Sequence, residues 1–244
     1  CSTGISPALR ILASDVILDL DGHGITCSPP DPESAVSIGI EASAGYDRVT
    51  VRNGSVSGCY MGVQLSGDDN LIDAVDFTGN AYIGFNGGGR GNVIFDSTFA
   101  DLGGYTQEAY AIAINGPGSD CLIKGNRFEN LYRQTAASPS QAGEGVGVLI
   151  RSDQKGCIVT HNRFRNDRPS GPAHTSIAAW VATGAAGHFR HNTIIGFPRG
   201  LIAAGDGILL AEQNRLILPF DAPNSYAIHH PAESSSSNIV IGYD

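Results

Sequence analysis

The chain has 244 residues, of which 32 are glycine and only 16% are charged, and its formal net charge at pH 7 is −9. A chain of this length can bury a sizeable core without metals or disulfides. The composition argues against long amphipathic helices and favours short strands with many turns. No run of 18 apolar residues is present to form a membrane span.

An internal repeat runs through the chain. Two loose copies come first, "ILDLDGHGI" at 17–25 and "VTVRNGSV" at 49–56. Six clearer copies follow, each ending in an apolar anchor: Phe77, Phe99, Phe128, Phe164, Ile194 and Leu216. The residue five positions before each anchor is apolar too: Ile72, Ile94, Ile123, Val159, Phe189 and Ala211. Two positions before the anchor, four copies carry asparagine: Asn126, Asn162, Asn192 and Asn214.

The length of the repeat selects the fold. Successive anchors are 22 to 36 residues apart. The shorter spacing fits three short strands joined by turns, which is one coil of a parallel β-helix. An asparagine buried at a bend can bond the backbone there and the asparagine of the next coil, about 4.8 Å away. We therefore predict a single all-β domain over residues 1–244, a single-stranded parallel β-helix solenoid of about eight coils with an asparagine ladder.

A further strand follows each anchor, and the sequence predicts which of its residues align. One residue in each of these strands lies nine positions before the next apolar column: Phe85, Ile114, Ile150, Trp180 and Ile202. The length-variable segments then fall between the anchor and this strand, for example "ENLYRQTAASPSQAGEGVG" and "RNDRPSGPAHTS". Because coils stack, we expect these segments to lie side by side at one corner.

These features carry a family resemblance. The coil order, the asparagine column, "DVILDLDGHGIT" and "VTVRNGSVSG" resemble right-handed parallel β-helix proteins of the pectate-lyase-like superfamily, including NosD-like repeats. The resemblance covers most of residues 15–244 and implies that substrate lies along the outer face of the strand after the variable corner. The "DPHE", "WIDH" and "NTD…DD…GHG" signatures of enzymes in this superfamily do not occur in the sequence.

That placement yields the candidate site residues. Outward positions on the strand include Asn86, Asn115 and Arg151. The substrate-binding candidates are Asn86, Asn115, Glu108, Glu144, Arg165 and Arg168. The catalytic candidates are Arg151, Arg133, Tyr132, Tyr110 and His174.

Charge distribution indicates the partner. Residues 124–199 contain ten Lys and Arg against four Asp and Glu, so this segment carries +6, which leaves −15 for the rest of a chain of net charge −9. A basic section with the longest loops suggests a polyanionic partner. An acidic polysaccharide or oligosaccharide fits better than nucleic acid, because the whole chain is acidic and shows no recognised nucleic-acid fold.

The favoured chemistry is β-elimination or C5 epimerisation of a uronate chain. A base takes the C5 proton while a cation neutralises the carboxylate. Arg151 and Arg133 are the candidate cations, and Tyr110, Tyr132 or His174 the base or acid. Glu108, Glu144 and Asp153 are candidate Ca²⁺ ligands, and no other cofactor is indicated.

Two alternatives remain open beside a lyase or epimerase. A glycoside hydrolase would need two carboxylates, and Glu108 with Glu144 would be the pair. A non-catalytic carbohydrate-binding, surface or phage-type β-helix would need neither of these two carboxylates for catalysis. All these readings place the protein outside the cell, in the periplasm or at the cell surface.

Cysteines and histidines fall into the repeat columns. Cys121 and Cys157 share one column in adjacent coils and Cys27 and Cys59 nearly do, so stacked thiols or disulfides are both open. His161 and His191 lie in consecutive coils beside the asparagine column. They could bind a metal together, although two imidazoles without a third ligand make a weak site.

Overall fold

A computed structural model describes residues 6–27, 37–103, 108–131, 145–167, 176–219, 226–229, 235–236 and 238–243. Within these ranges no residue lies in a helix, so none of them forms a helix able to cross a membrane. The strands, in chain order, are β1 (Ser6–Ile11), β2 (Ile17–Asp19), β3 (Gly24–Thr26), β4 (Ser37–Ala42), β5 (Thr50–Ser57), β6 (Met61–Leu65), β7 (Leu71–Thr78), β8 (Ile83–Gly88), β9 (Val93–Phe95), β10 (Thr98–Ala100), β11 (Ala109–Asn115), β12 (Gly118–Ser119), β13 (Leu122–Lys124), β14 (Arg127–Glu129), β15 (Gly145–Ile150), β16 (Gln154–Lys155), β17 (Cys157–Thr160), β18 (Arg163–Arg165), β19 (Ser176–Val181), β20 (Ala186–Arg190), β21 (Thr193–Ile195), β22 (Arg199–Ala203), β23 (Ile208–Glu212), β24 (Arg215–Pro219), β25 (Tyr226–His229), β26 (Ser235–Ser236) and β27 (Ile239–Tyr243).

Two long sheets run the length of the molecule, and the chain alternates between them. The first, sheet A, has the order β1-β4-β6-β8-β11-β15-β19-β22-β25. The second, sheet B, contains the repeat strands, with β9, β13, β17, β20 and β23 as one run and β10, β14, β18, β21 and β24 as another. Neighbouring strands pair in parallel in both sheets. The predicted parallel β-helix is therefore confirmed.

The apolar columns of the repeat form the core. The anchors pair in register along the solenoid, from Phe77 through Phe99, Phe128 and Phe164 to Ile194 and Leu216, as predicted. The rings of Phe77 and Phe99 stack with centroids 4.6 Å apart, and those of Phe128 and Phe164 at 4.3 Å. The column five positions earlier is in register too, which confirms the second predicted apolar column.

Space for the phenylalanine stack comes from small residues on the facing strands. A Cβ atom added to Gly147 would lie only 2.7 Å from Cε1 of Phe164. Such a contact is far inside ordinary van der Waals separation, so any side chain here would displace the ring. Gly62 and Gly84 face Phe77 and Phe99 in the same way. The glycine content of the chain thus partly reflects close packing inside the coils.

The asparagine column lies buried at the bend of sheet B. Oδ1 of Asn162 accepts from the backbone N–H of Asn126 at 2.9 Å and from its Nδ2 at 3.1 Å. Nδ2 of Asn162 donates to the carbonyl of Ile123 at 2.9 Å and to Oδ1 of Asn192 at 3.1 Å. The same pattern continues to Asn214 and Asn238. Each amide therefore satisfies buried backbone groups of the preceding coil and donates to the amide oxygen of the next.

The residue before each ladder asparagine turns the chain. Gly125, His161, His191 and Gln213 have φ values of 73°, 56°, 55° and 53°, in the left-handed region. The His161 and His191 rings are exposed and their centroids lie 4.9 Å apart. No group of three or more His, Cys, Asp or Glu side chains suited to a metal occurs in the described part of the chain. The histidines thus occupy a bend position set by the backbone.

Two disulfides link neighbouring coils. Cys27 bonds Cys59 and Cys121 bonds Cys157, with Cα–Cα distances of 4.7 Å and 4.4 Å. The sequence left stacked thiols and disulfides as alternatives, and the structure has disulfides. Because residues in one column face each other across a rung, no backbone shift is needed to join them.

We expect Asn162→Ala to lower the free energy of unfolding by about 3 kcal/mol, because it leaves the Asn126 N–H and the Ile123 carbonyl buried without partners. Urea unfolding followed by circular dichroism measures this loss. Thr193→Ala, a half-buried neighbour of Asn192 outside the ladder, is the control and should cost less than about 0.5 kcal/mol. Equal losses in the two variants would contradict the role assigned to the ladder.

Candidate functional site

Four long connections lead into sheet A, from β3 to β4, from β10 to β11, from β14 to β15 and from β18 to β19. The strands that the last three enter begin in register, since Ala109 pairs with Gly145 and Gly145 pairs with Ser176. The predicted insertions therefore all sit between the anchor and sheet A. The candidates Tyr132, Arg133, Glu144, Arg168 and His174 belong to these connections and lie outside the described residues.

The outer face of sheet A is largely apolar. A hydrophobic cluster there is separate from the core inside the coils. One of its columns comprises Ile83, Tyr110, Val146 and Ile177. A second column comprises Ala113, Leu149, Trp180 and Ile202. The sequence predicted a polar row on this face, so its apolar character is a correction.

The predicted alignment of sheet A is confirmed for Ile114 with Ile150 and for Trp180 with Ile202, but it was wrong by one or two residues at the other two steps. Ile114 pairs with Gly87 and not with Phe85, and Ile150 pairs with Val181 and not with Trp180. The turn between sheet A and the next repeat strand varies in length, and counting back a fixed nine residues ignored this variation. As a result Asn86 pairs with Ala113, whereas Arg151 follows Ile150 and so lies opposite Asn115.

A polar cluster nonetheless forms at this face, and we call Glu108, Tyr110, Asn86, Asn115 and Arg151 the Tyr110 cluster. The Tyr110 hydroxyl donates to the Glu108 carboxylate, and Asn115 Nδ2 donates to Asn86 Oδ1. Cζ of Arg151 lies 5.7 Å from the centroid of the Tyr110 ring, a cation–π contact. Five sequence-predicted candidates therefore lie in one chain of contacts or adjoin it in register.

The environment of Tyr110 determines its protonation state. Its side chain is only 5% exposed and lies between Ile83 and Val146. Burial, and then the neighbouring Glu108 carboxylate, raise the pKa of Tyr110 above its ordinary value. The phenol therefore stays protonated at neutral pH and donates its hydrogen bond to Glu108. A raised pKa disfavours the phenolate that a general base would require.

A run of tyrosines extends the Tyr110 cluster along the solenoid. The rings of Tyr60 and Tyr82 stack with centroids 5.1 Å apart, and Tyr82 meets Tyr110 edge-on at 5.7 Å. Trp180 lies further along the same face, and its buried Nε1 has no hydrogen-bond partner in the described structure. Tyr60 and Tyr82 were not predicted as site residues. The recurrence of "YMG" at 60–62 and "YIG" at 82–84 was the signal that could have revealed them.

Arg165 and Asp153 lie apart from the Tyr110 cluster. Arg165 ends β18 on sheet B, and its Nε contacts Oδ1 of Asp167 at 2.7 Å. Asp153 is exposed, with a φ of 70°, in the turn before β16. Of the three candidate Ca²⁺ ligands, Glu108 bonds Tyr110 and Glu144 falls outside the described ranges. The calcium assignment stays a prediction.

Comparison with known proteins settles the family. A family model described as a right-handed beta helix region matches residues 37–216. The chain belongs to this family. The match confirms the right-handed β-helix that the resemblance implied. No curated protein matches the chain.

Several solved structures align with the chain. An alginate lyase from Paenibacillus sp. str. FPU-7 aligns over 96% of this chain and 88% of its own, with a TM-score of 0.54 and 13% identity. PfbA, a surface adhesin of Streptococcus pneumoniae, aligns over 98% of this chain and 70% of its own, with a TM-score of 0.45 and 12% identity. The tailspike protein gp49 from Acinetobacter baumannii bacteriophage Fri1, a capsular polysaccharide depolymerase, aligns over 84% and 47%, with a TM-score of 0.32 and 13% identity. At these identities the likeness concerns the fold alone.

The raised pKa of Tyr110 predicts a specific alkaline destabilisation. The unfolded chain releases this proton near pH 10, whereas the folded chain retains it to higher pH, so the stabilisation present below about pH 10 is lost as pH rises further. We expect Tyr110→Phe to unfold with a shallower dependence on pH between about pH 9 and pH 11 than the parent chain. Urea unfolding across this range measures the slope. Tyr82→Phe removes a neighbouring hydroxyl as the control, and identical slopes in the parent and Tyr110→Phe would refute the assignment.

Proposed function

We propose that the chain acts on a uronate-containing acidic polysaccharide as a lyase or C5-epimerase, by removing the proton at C5. The observation that carries the proposal is the contact chain from Arg151 over Tyr110 to Glu108 on the outer face of sheet A. It brings a cation, a proton donor and a carboxylate together beside the long connections. The alginate lyase with the same fold agrees with this chemistry but shares only 13% identity.

Arg151 is suited to neutralise the uronate carboxylate. The C5 proton becomes acidic only when the charge that develops on the carboxylate is stabilised. A guanidinium stays charged at all relevant pH values and offers a planar fork that matches a carboxylate. No ion pair to Arg151 is found among the described residues, so its charge is available to an anionic substrate.

Tyr110 is suited to protonate the leaving oxygen. In β-elimination a base removes the C5 proton, the electrons form the C4–C5 double bond, and the C4–O4 bond breaks. The O4 oxygen then needs a proton, which a tyrosine with a raised pKa carries at neutral pH. Tyr132 and His174 stay the candidates for the base, together with Arg133 as a second cation. In an epimerase a proton returned to the opposite face of C5 would replace the elimination.

The apolar surroundings fit a sugar chain laid along the solenoid. Pyranose rings present C–H faces that pack on aromatic side chains, and carbohydrate sites combine such surfaces with a few polar groups. Tyr60 and Tyr82 continue from Tyr110 toward the N-terminal coils. We therefore propose that successive sugar units lie over the tyrosine run, with the reacting unit at Arg151. Asn86 and Asn115 would bond hydroxyl groups of that unit.

A non-catalytic carbohydrate-binding module is the second candidate. The burial of Tyr110 favours it, because a phenol must reach the substrate to donate a proton. In a binder, Arg151 and the tyrosine run would hold an acidic chain without reaction. For either function the two disulfides support an exported protein, since such bonds persist mainly in oxidising compartments.

The decisive assay measures absorbance at about 235 nm, where unsaturated uronates absorb, while the protein is incubated with alginate, pectate or glycosaminoglycans. We expect activity on one of them, with kcat/KM reduced about 100-fold or more in Arg151→Ala and in Tyr110→Phe. Arg52→Ala is the control, because it removes an exposed cation paired with Asp19 on sheet B and should change the rate less than about twofold.

The assay also separates the alternatives. An epimerase gives no absorbance but exchanges the C5 hydrogen with solvent, which NMR detects. Binding without absorbance or exchange on every polymer, weakened by Arg151→Ala, would establish the binding module and refute catalysis.

A further inference from the structure

Cationic side chains line the corner of sheet B that contains the asparagine ladder. We define the cationic ridge as Lys124, Arg127, Arg163, Arg190 and Arg215, all of them exposed. They flank the ladder asparagines on both sides, at the ends of one strand run and the starts of the other. The ridge therefore lies on sheet B, away from Arg151 on sheet A.

The parallel register arranges these cations in two columns along the solenoid. Arg127 pairs with Arg163, and the column continues through Thr193 to Arg215. In the second column Lys124 pairs with Thr160, which pairs with Arg190. Neighbouring rungs are about 4.8 Å apart, so each rung from Lys124 to Arg215 presents at least one cation. The result is a linear array of positive charge parallel to the solenoid axis.

Few acidic groups neutralise the ridge. Nη2 of Arg127 lies 3.5 Å from a Glu129 carboxylate oxygen. Glu212, in register beside Arg190, instead contacts Nε2 of His188 at 3.2 Å. Arg163, Arg190 and Arg215 have no ion partner within the described structure. Three guanidinium groups on consecutive rungs thus stay available to an external anion.

We propose that the cationic ridge is a second polysaccharide-binding surface, on which a linear acidic polysaccharide lies parallel to the solenoid axis. The charge array fits any regular polyanion, and the choice of polysaccharide rests on the proposed function. Held on the ridge, one part of a long chain would stay bound while another part occupies the Tyr110 cluster on sheet A. The ridge would then raise the affinity for long chains without acting on the reaction.

Nucleic acid fits this surface less well. Binding of single strands combines cations with aromatic side chains on which bases stack. The rings beside the ridge already have partners: Nζ of Lys124 lies 5.8 Å from the Phe95 centroid, and the exposed His161 and His191 rings lie 4.9 Å from each other. A flat sheet corner also lacks the helix or ribbon that enters a duplex groove. The ridge therefore offers mainly charge, which suits an acidic sugar chain.

The test compares Arg163→Gln/Arg190→Gln/Arg215→Gln with the parent chain for binding to fluorescently labelled long-chain alginate and polygalacturonate at low ionic strength. We expect the dissociation constant for a bound polymer to rise about tenfold or more, the effect of losing three exposed charge contacts. The matched control is Arg10→Gln/Arg48→Gln/Arg90→Gln, which removes the same charge from cations already paired with Glu41, Asp15 and Asp68. It should change the constant less than about twofold.

The outcomes distinguish the ridge from the active face. Ridge-dependent binding with unchanged kcat on short oligosaccharides supports the proposal. Ridge-dependent binding of a uronan that is never processed also supports it, while refuting the proposed lyase or epimerase. Equal weakening in both triple variants, or none in either, would overturn the ridge even if Arg151→Ala abolishes activity. Tighter ridge-dependent binding of labelled oligothymidylate than of either uronan would overturn the choice of partner.

Discussion

The buried amide ladder is the constraint on which the rest of the structure depends. Each coil must turn sharply between two strands of sheet B, and the bend leaves backbone N–H and C=O groups inside the protein. Asn126, Asn162 and Asn192 satisfy these groups in the preceding rung, and each donates to the amide oxygen of the next rung. Because the amide Oδ1 accepts from the rung before it and Nδ2 donates to the rung after it, a shift of one residue would break both bonds. The ladder thus fixes the register of every outward residue beside it.

This mechanism explains which parts of the fold were predictable. The anchor column from Phe77 to Leu216 and the apolar column five residues earlier follow from the sequence, because each residue contacts its own equivalent in the next coil. Sheet A has no equivalent ladder of side-chain amides among the described residues. Its strands are reached through turns of different length, and the register at Gly87 and Val181 depends on those turns. Predicting alignment by a fixed count therefore succeeded for Ile114 with Ile150 and for Trp180 with Ile202. It failed between Phe85 and Ile114 and between Ile150 and Trp180.

The candidate site, like the fold, could be predicted from the sequence only in part. Arg151 and the two asparagines could be named from the sequence as outward positions of the strand after the variable corner, and Glu108 and Tyr110 as residues of the loops beside it. The structure places Tyr110 in β11. The contacts among these residues could not be predicted, since they depend on the register of sheet A. The apolar outer face was also unpredicted, and it changes the chemistry. Tyr110 packs with Ile83 and Val146, and its burial raises the pKa of the phenol, which disfavours the phenolate that a general base would require.

Both proposed surfaces result from the strict register of the strands, which places the side chains of one column directly beside each other. Arg127 and Arg163 lie directly opposite across parallel strands, an arrangement that repels and does not assist folding. The repulsion is weak in water because both groups are exposed and screened by salt. A polyanion along the column would reverse it, since each rung then adds an attraction in place of a repulsion. On sheet A the same stacking places Tyr60, Tyr82 and Tyr110 in contact and lets Arg151 cover the last ring. In a solenoid of short rungs, residues at one position of the repeat therefore form a continuous surface along the axis, and the charge or apolar character of that column sets the character of the surface.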